Sequence, residues 1–158
     1  MNARRTLCLA LGMAALTACT GPTPTPYVEV EYRRSGGFAP MGDELHVWSD
    51  GRLVARGPLP QFAEEVWTVP VQELNRLRAI VRSPAFRALG PSYVPADICC
   101  DRPFVSIEVI RDGHRQRVIT LAGATNPAVL DHAFDEVGRL QSLSPREPGT
   151  IVEDPASR

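Results

Sequence analysis

Two Asp-Gly pairs, Asp50-Gly51 and Asp112-Gly113, constrain the fold of this chain more than any other feature. Each pair is flanked by segments that alternate apolar and polar residues or are rich in β-branched residues. Asp-Gly is a strong signal for a two-residue β-hairpin turn, because both residues tolerate the left-handed backbone that the turn requires. The sequence therefore predicts two antiparallel hairpins, over residues 45–55 and 104–121.

Two further segments have strand character. Residues 27–33 alternate strictly, with Val28, Val30 and Tyr32 on one face and charged side chains on the other, which predicts a half-buried strand. Residues 66–69 can supply another short strand. Together with the two hairpins, these segments favour an antiparallel sheet of about five strands.

The helical signals follow prolines. Apolar residues recur at helical spacing over residues 70–82, and Pro70 suits the first helical position. Ser83-Pro84 and Asn126-Pro127 both have the pattern of a capping residue followed by proline at the first helical position, and Asn126-Pro127 precedes an apolar helical stripe. The predicted fold class is therefore α+β, with two main helices packed on one face of the sheet.

The first 20 residues have the order of an export signal: two arginines, an apolar run and then small residues. The run is too short to span a bilayer. Its end, Leu16-Thr17-Ala18-Cys19, resembles the lipobox of bacterial lipoproteins, in which the cysteine is acylated and becomes the first mature residue. The alternative is an ordinary secretory signal cut near Ala18, which would leave Cys19 as a free thiol.

The lipobox resemblance, together with length and composition, predicts four segments. Residues 1–18 are the signal peptide, residues 19–26 are the acylated cysteine and a Thr/Pro-rich tether, residues 27–142 are one domain, and residues 143–158 have a composition typical of disorder. Acylated Cys19 would anchor the chain in a lipid bilayer of the cell envelope. Because Thr20 rather than Asp follows Cys19, the resemblance implies the outer membrane in a host with two membranes, and otherwise the outer face of the cell membrane.

Charge and motifs exclude several functions. Removal of the signal takes away Arg4 and Arg5 and lowers the net charge from −1 to about −3, which argues against a nucleic-acid partner. The sequence has no zinc-protease, nucleophile-elbow or phosphate-loop motif. His132 and Glu136 are four residues apart on a helix, a spacing that favours a solvated ion pair over a catalytic couple. We therefore expect no catalytic residues, metal or cofactor.

Cys99 and Cys100 are adjacent and have no other cysteine partner in the mature domain. Adjacent Cα atoms lie about 3.8 Å apart, below the usual disulfide range of about 4.4–6.8 Å, so a bond between them would be strained and easily reduced. Three interpretations remain: a vicinal disulfide that clips the loop, two buried thiols, or a soft-metal or redox site assisted by Asp97 or Asp101.

The segment Arg34-Ser35-Gly36-Gly37-Phe38-Ala39 requires a special backbone, because adjacent glycines can take positive φ. In one interpretation Phe38 folds back into the core. In the other, the loop presents Phe38 and open backbone groups to another protein. Trp48 and Trp67 are both placed opposite the core-facing strand residues, so their joint exposure with Phe38 would form an anchor patch.

This loop, followed by a helix, the second hairpin and a closing helix, resembles emfourin-like proteins, which are small inhibitors of thermolysin-type metallopeptidases. The resemblance covers roughly residues 27–142, and its specific part is the Ser-Gly-Gly-Phe-Ala segment. It implies a protein-binding module whose contact residues are Ser35, Gly36, Gly37 and Phe38, with a thermolysin-type metallopeptidase or another envelope protein as partner. Two other hypotheses are a non-inhibitory structural or interaction lipoprotein, and a thiol or soft-metal site at Cys99 and Cys100.

Overall fold

The computed structural model of the protein describes residues 25–37, 42–57, 64–98 and 101–145. Within them the chain forms six strands: β1 (Val28–Ser35), β2 (Asp43–Trp48), β3 (Arg52–Arg56), β4 (Glu65–Thr68), β5 (Phe104–Arg111) and β6 (His114–Leu121). It also forms three helices: α1 (Val71–Val81), α2 (Pro84–Arg87) and α3 (Ala128–Ser142). The predicted signal peptide, most of the predicted tether and most of the predicted tail lie outside the described residues.

The strands form one antiparallel sheet in the order β4-β3-β2-β1-β5-β6. This confirms the α+β class, and β4 is the short strand predicted over residues 66–69, displaced by one residue. Both hairpins are confirmed. Asp112 and Gly113 have φ values of 50° and 77°, and Gly51 has a φ of 95°, which is the left-handed backbone that the Asp-Gly pairs favour.

Strand β1 departs from the strict alternation that its sequence predicts. Val28 pairs with Trp48, whereas Val30 pairs with the adjacent Val47, so Glu29 is the extra residue of a β-bulge. The predictions that Glu29 lies opposite the core-facing side and that Val28 shares a face with Val30 are therefore wrong. The bulge turns the Glu29 side chain toward α1, where it is only 6% exposed and bonded to two arginines of that segment.

Of the three predicted helix starts, one is confirmed and two are corrected. The Ser83 side chain accepts a hydrogen bond of 3.1 Å from the Phe86 amide, so Ser83 caps α2 as predicted. Pro70 and Pro127 are themselves the capping residues of α1 and α3, not the first helical residues. Their ψ angles of 140° and 136° are extended, so each helix begins one residue later. The Asn126 side chain does not cap α3 but bonds to side chains of β6 and α3.

Helices α1 and α3 pack their apolar faces on one side of the sheet, and Phe86 of α2 is fully buried there. Tyr32 is partly buried against Phe134, with ring centroids 6.2 Å apart, and burial raises the pKa of Tyr32. The buried cluster draws on every strand and helix: Val30, Leu45, Val47, Leu53, Trp67, Val69, Leu74, Leu77, Val81, Phe86, Ile107, Val109, Val118, Leu130, Ala133, Val137 and Leu140.

The two tryptophans lie on opposite faces of the sheet. Trp67 pairs with buried Leu53 and belongs to the core, so the prediction that it lies opposite the core-facing residues is wrong. Trp48 lies on the face without helices, where the Arg52 guanidinium is 4.0 Å from its ring centroid. The predicted joint exposure of the two tryptophans is therefore wrong, and Phe38 lies outside the described residues.

Candidate functional site

The predicted contact segment lies at one end of the sheet. There β1 ends at Ser35, directly opposite Phe104 at the start of β5, and both residues are exposed. Because β1 is eight residues long, Val28 lies at the other end of the sheet, beside the two Asp-Gly turns. The exposed surface formed by Ser35, Gly36, Gly37 and Phe104 is termed the glycine-turn surface below.

Both glycines have left-handed backbone, with φ of 82° at Gly36 and 89° at Gly37. This confirms that the segment uses the conformational freedom of glycine. Their surroundings differ. A Cβ atom on Gly37 would lie 2.9 Å from the Asp101 carbonyl oxygen, whereas one on Gly36 would meet only the Phe104 ring, at 3.8 Å. Gly37 is therefore packed against neighbouring backbone, and Gly36 leaves one face of the turn open.

Gly37 lies close to Asp101, so the glycine segment and the segment that follows the cysteine pair meet at this point. Asp101 directly follows Cys99 and Cys100, and it is itself a non-glycine residue with a φ of 41°. Left-handed residues of two separate segments thus lie close together at this end of the sheet. Cys99 and Cys100 lie outside the described residues, so the three interpretations of the pair remain predictions.

Phe104 is the residue of this surface that the sequence analysis missed. It is 41% exposed and its ring is the nearest atom group to Gly36. Its exposure follows from the alternation of side chains along β5. Val105, Ile107 and Val109 face the core, so Phe104 faces the opposite side of the sheet. Phe104 is already the first residue of the predicted hairpin, so the alternation of that strand is the signal that identifies it as facing away from the core.

Comparisons with known proteins leave the family open: neither a scan of protein-family models nor a search of curated proteins gives a match. The functional conclusion therefore rests on the residues of this chain and on the resemblance of its sequence.

The other predicted site residues lie beyond the described part of the chain. Cys19, the predicted acylation site, and Phe38, the predicted apolar contact, are both outside it. Ser35, Gly36 and Gly37 are described and exposed, as the partner-binding hypothesis requires.

The described residues show no arrangement that suggests a metal site. Among residues 25–37, 42–57, 64–98 and 101–145, no group of three or more His, Cys, Asp or Glu side chains is placed to hold a metal ion. The histidines lie apart, on β2, at the start of β6 and on α3. Glu136 bonds to Arg139 at 2.7 Å, an ion pair different from the predicted one with His132. In the same part of the chain, no helix has the length and apolar character needed to cross a membrane.

Proposed function

We propose that this chain is a lipid-anchored protein-binding module of the bacterial cell envelope, and that the glycine-turn surface contacts the partner. The observation that carries the proposal is the exposed left-handed turn at the end of β1 that is remote from Val28. Seven steps of about 3.3 Å along β1 separate its two ends by about 23 Å. A chain anchored through acylated Cys19 therefore holds this surface away from the bilayer.

The partner class follows from the emfourin-like segment. A thermolysin-type metallopeptidase is the partner that the resemblance implies, with Ser35, Gly36, Gly37 and Phe38 in the contact. The geometry adds Phe104, an aromatic side chain beside the open face of Gly36. Aromatic side chains, phenylalanine among them, are enriched at protein interfaces. Phe104 therefore extends the proposed contact surface onto β5.

The packing of the two glycines decides which variants test the proposal. Gly37→Val would place side-chain atoms against the Asp101 carbonyl, so it would disturb the fold and the surface together. Phe38→Ala and Phe104→Ala remove only apolar side chains. Tyr27→Ala is a matched control, because Tyr27 is an aromatic residue, 47% exposed, at the opposite end of the sheet.

The experiment is a titration of the full chain, purified in detergent micelles, against thermolysin with a peptide substrate. We expect inhibition, with an inhibition constant that rises at least about tenfold in Phe38→Ala or Phe104→Ala and stays unchanged in Tyr27→Ala. Thermal unfolding of each variant separates loss of contact from loss of fold. A correctly folded wild-type chain that gives no inhibition at micromolar concentration would contradict the inhibitor proposal.

Acylation of Cys19 can be tested separately from partner binding. Expressed in a bacterium that processes lipoproteins, the native chain should fractionate with membranes and carry the mass of an acylated Cys19. Cys19→Ser should move the chain to the soluble envelope fraction. An unmodified Cys19 in the mature native chain would support the alternative of an ordinary secretory signal.

A further inference from the structure

The face of the sheet opposite the helices carries a polar groove of about 170 Å³ across β1, β5 and β6. This volume is several times the share of one water molecule, about 30 Å³, so the groove has room for a small polar group. Its lining consists of three arginines, two glutamates and one serine: Arg33, Arg115, Arg117, Glu31, Glu108 and Ser106.

The two carboxylates of the groove are already neutralised. Glu31 and Glu108 are directly opposite each other on β1 and β5, an arrangement of like charges that destabilises a sheet unless it is compensated. Arg33 donates to Glu31 at 2.5 Å, and Arg115 donates to Glu108 at 2.6 Å. Each glutamate is therefore bonded to a guanidinium, and Arg33 also lies 3.5 Å from the Glu44 carboxylate on β2.

Among the described residues, Arg117 is the arginine of the groove that has no carboxylate partner. It faces Glu108 in the register of β5 and β6, but that carboxylate is bonded to Arg115. Arg117 is exposed, and within the described residues its guanidinium makes one hydrogen bond, a long one of 3.5 Å to Ser106 Oγ, and has no carboxylate within 4 Å. The six lining side chains thus carry one unmatched positive charge.

Ser106 supplies a second donor at the same point. It is only 6% exposed, and its Oγ accepts from Arg117 while its own hydroxyl proton is directed to no other described group. Buried hydroxyl groups normally use their hydrogen-bonding capacity, so an unused donor beside an unmatched cation favours an oxyanion.

We propose that Arg117 and Ser106 form an anion site that takes a single carboxylate group. Arginine binds a carboxylate through two parallel charge-assisted hydrogen bonds, and the serine hydroxyl can donate a third bond to the same group. Only one positive charge is unmatched among the lining side chains, so the groove can compensate one negative charge. The site therefore selects a singly charged carboxylate over phosphate, whose charge is higher.

The carboxylate can be a free molecule or the side chain of an acidic residue on a partner protein. The Arg33–Ser106 pair lies two residues along the strands from the Ser35–Phe104 pair, on the same face of the sheet. Two residues span about 6.6 Å, so the groove adjoins the glycine-turn surface. One protein partner can reach both.

The test is a titration of the ¹⁵N-labelled full chain in detergent micelles with sodium acetate, at constant ionic strength set by chloride. We expect saturable shifts of the Ser106 and Arg117 signals with a dissociation constant in the millimolar range. Arg117→Gln should weaken acetate binding at least about tenfold, and Ser106→Ala should weaken it severalfold. The matched control is Arg76→Gln, which removes the same charge from an exposed position on α1.

Three results would overturn the proposal: shifts that stay linear in acetate, equal affinity in Arg117→Gln and Arg76→Gln, or tighter binding of inorganic phosphate than of acetate. Thermal unfolding of the variants confirms that the sheet is intact. Because this titration contains no peptidase, its result is independent of the inhibitor proposal.

A second measurement, which rests on the proposed function, identifies the source of the carboxylate. If Arg117→Gln weakens both acetate binding and inhibition of thermolysin, the site takes an acidic side chain of the partner. If it weakens acetate binding alone, the site takes a free carboxylate. Unchanged acetate binding in Arg117→Gln overturns the site in either case.

Discussion

Replacing Glu29 by Gln removes the negative charge that joins the start of β1 to α1. In the native chain the Glu29 carboxylate accepts hydrogen bonds from Arg78 at 2.6 and 2.8 Å and from Arg82 at 2.7 Å. Arg78 also donates to the Ser49 carbonyl at 2.9 Å, which keeps its guanidinium in place when the carboxylate is gone. Glu29→Gln therefore leaves a largely buried cation without its counter-ion.

The expected cost follows from the burial of each partner. Removal of one charge from a buried ion pair costs about 3–5 kcal/mol, because the other charge stays buried and unpaired. The side chain of Arg82 is 57% exposed, so its part of the interaction contributes at most about 1 kcal/mol. Gln retains one acceptor for Arg78. We therefore expect Glu29→Gln to lower the free energy of unfolding by about 2–4 kcal/mol.

The assay is urea and thermal unfolding of the full chain, followed by circular dichroism. At about 4 °C per kcal/mol for a domain of this size, the melting temperature should fall by about 8–16 °C. Arg82→Gln is the control and should cost at most about 1 kcal/mol. The double variant Glu29→Met, Arg78→Met should recover most of the loss, since it removes both charges. A cost for Glu29→Gln no larger than that of Arg82→Gln would refute the argument.

Two further predictions concern the glycine turn and a buried tyrosine. Gly36→Ala should lower the free energy of unfolding by about 1–2 kcal/mol because of its left-handed backbone, and Gly37→Ala should cost more because its Cβ also meets a carbonyl oxygen at 2.9 Å. Equal costs in thermal unfolding would show that this close contact relaxes freely. Burial raises the pKa of Tyr32, so its contribution to stability should be complete below about pH 10 and be lost as the pH rises through the folded-state value. Tyr32→Phe should flatten this alkaline loss, as measured by unfolding at a series of pH values, and an unchanged slope would contradict the assignment.

The parts of the fold that the sequence predicts correctly are local. The left-handed backbone of Gly51 shapes the first hairpin, that of Asp112 and Gly113 shapes the second, and Ser83 caps α2 within a single turn. These features depend on neighbours in the sequence, so a pattern can find them.

The parts that the sequence analysis misses depend on distant residues. Glu29 looks like an ordinary solvent-facing strand residue, and its inward turn requires Arg78 and Arg82, about fifty positions further along the chain. Phe104 becomes part of the glycine-turn surface only because β5 pairs with β1. A local sequence pattern does not predict the order of strands in a sheet. The unmatched charge of Arg117 likewise appears only when the register of three strands is known.

The central position of β1 also determines how the domain responds to force. A pull on the chain ahead of Tyr27 acts along the axis of β1, which is hydrogen-bonded on both sides, to β2 and to β5. Such a load shears the hydrogen bonds to both neighbouring strands at the same time. A pull on an edge strand can instead break its hydrogen bonds one after another. The Glu29 carboxylate lies at the point where the load enters and ties β1 to α1. A load applied ahead of Tyr27 along the axis of β1 is therefore resisted by two strand ladders and by the Glu29 ion pairs together.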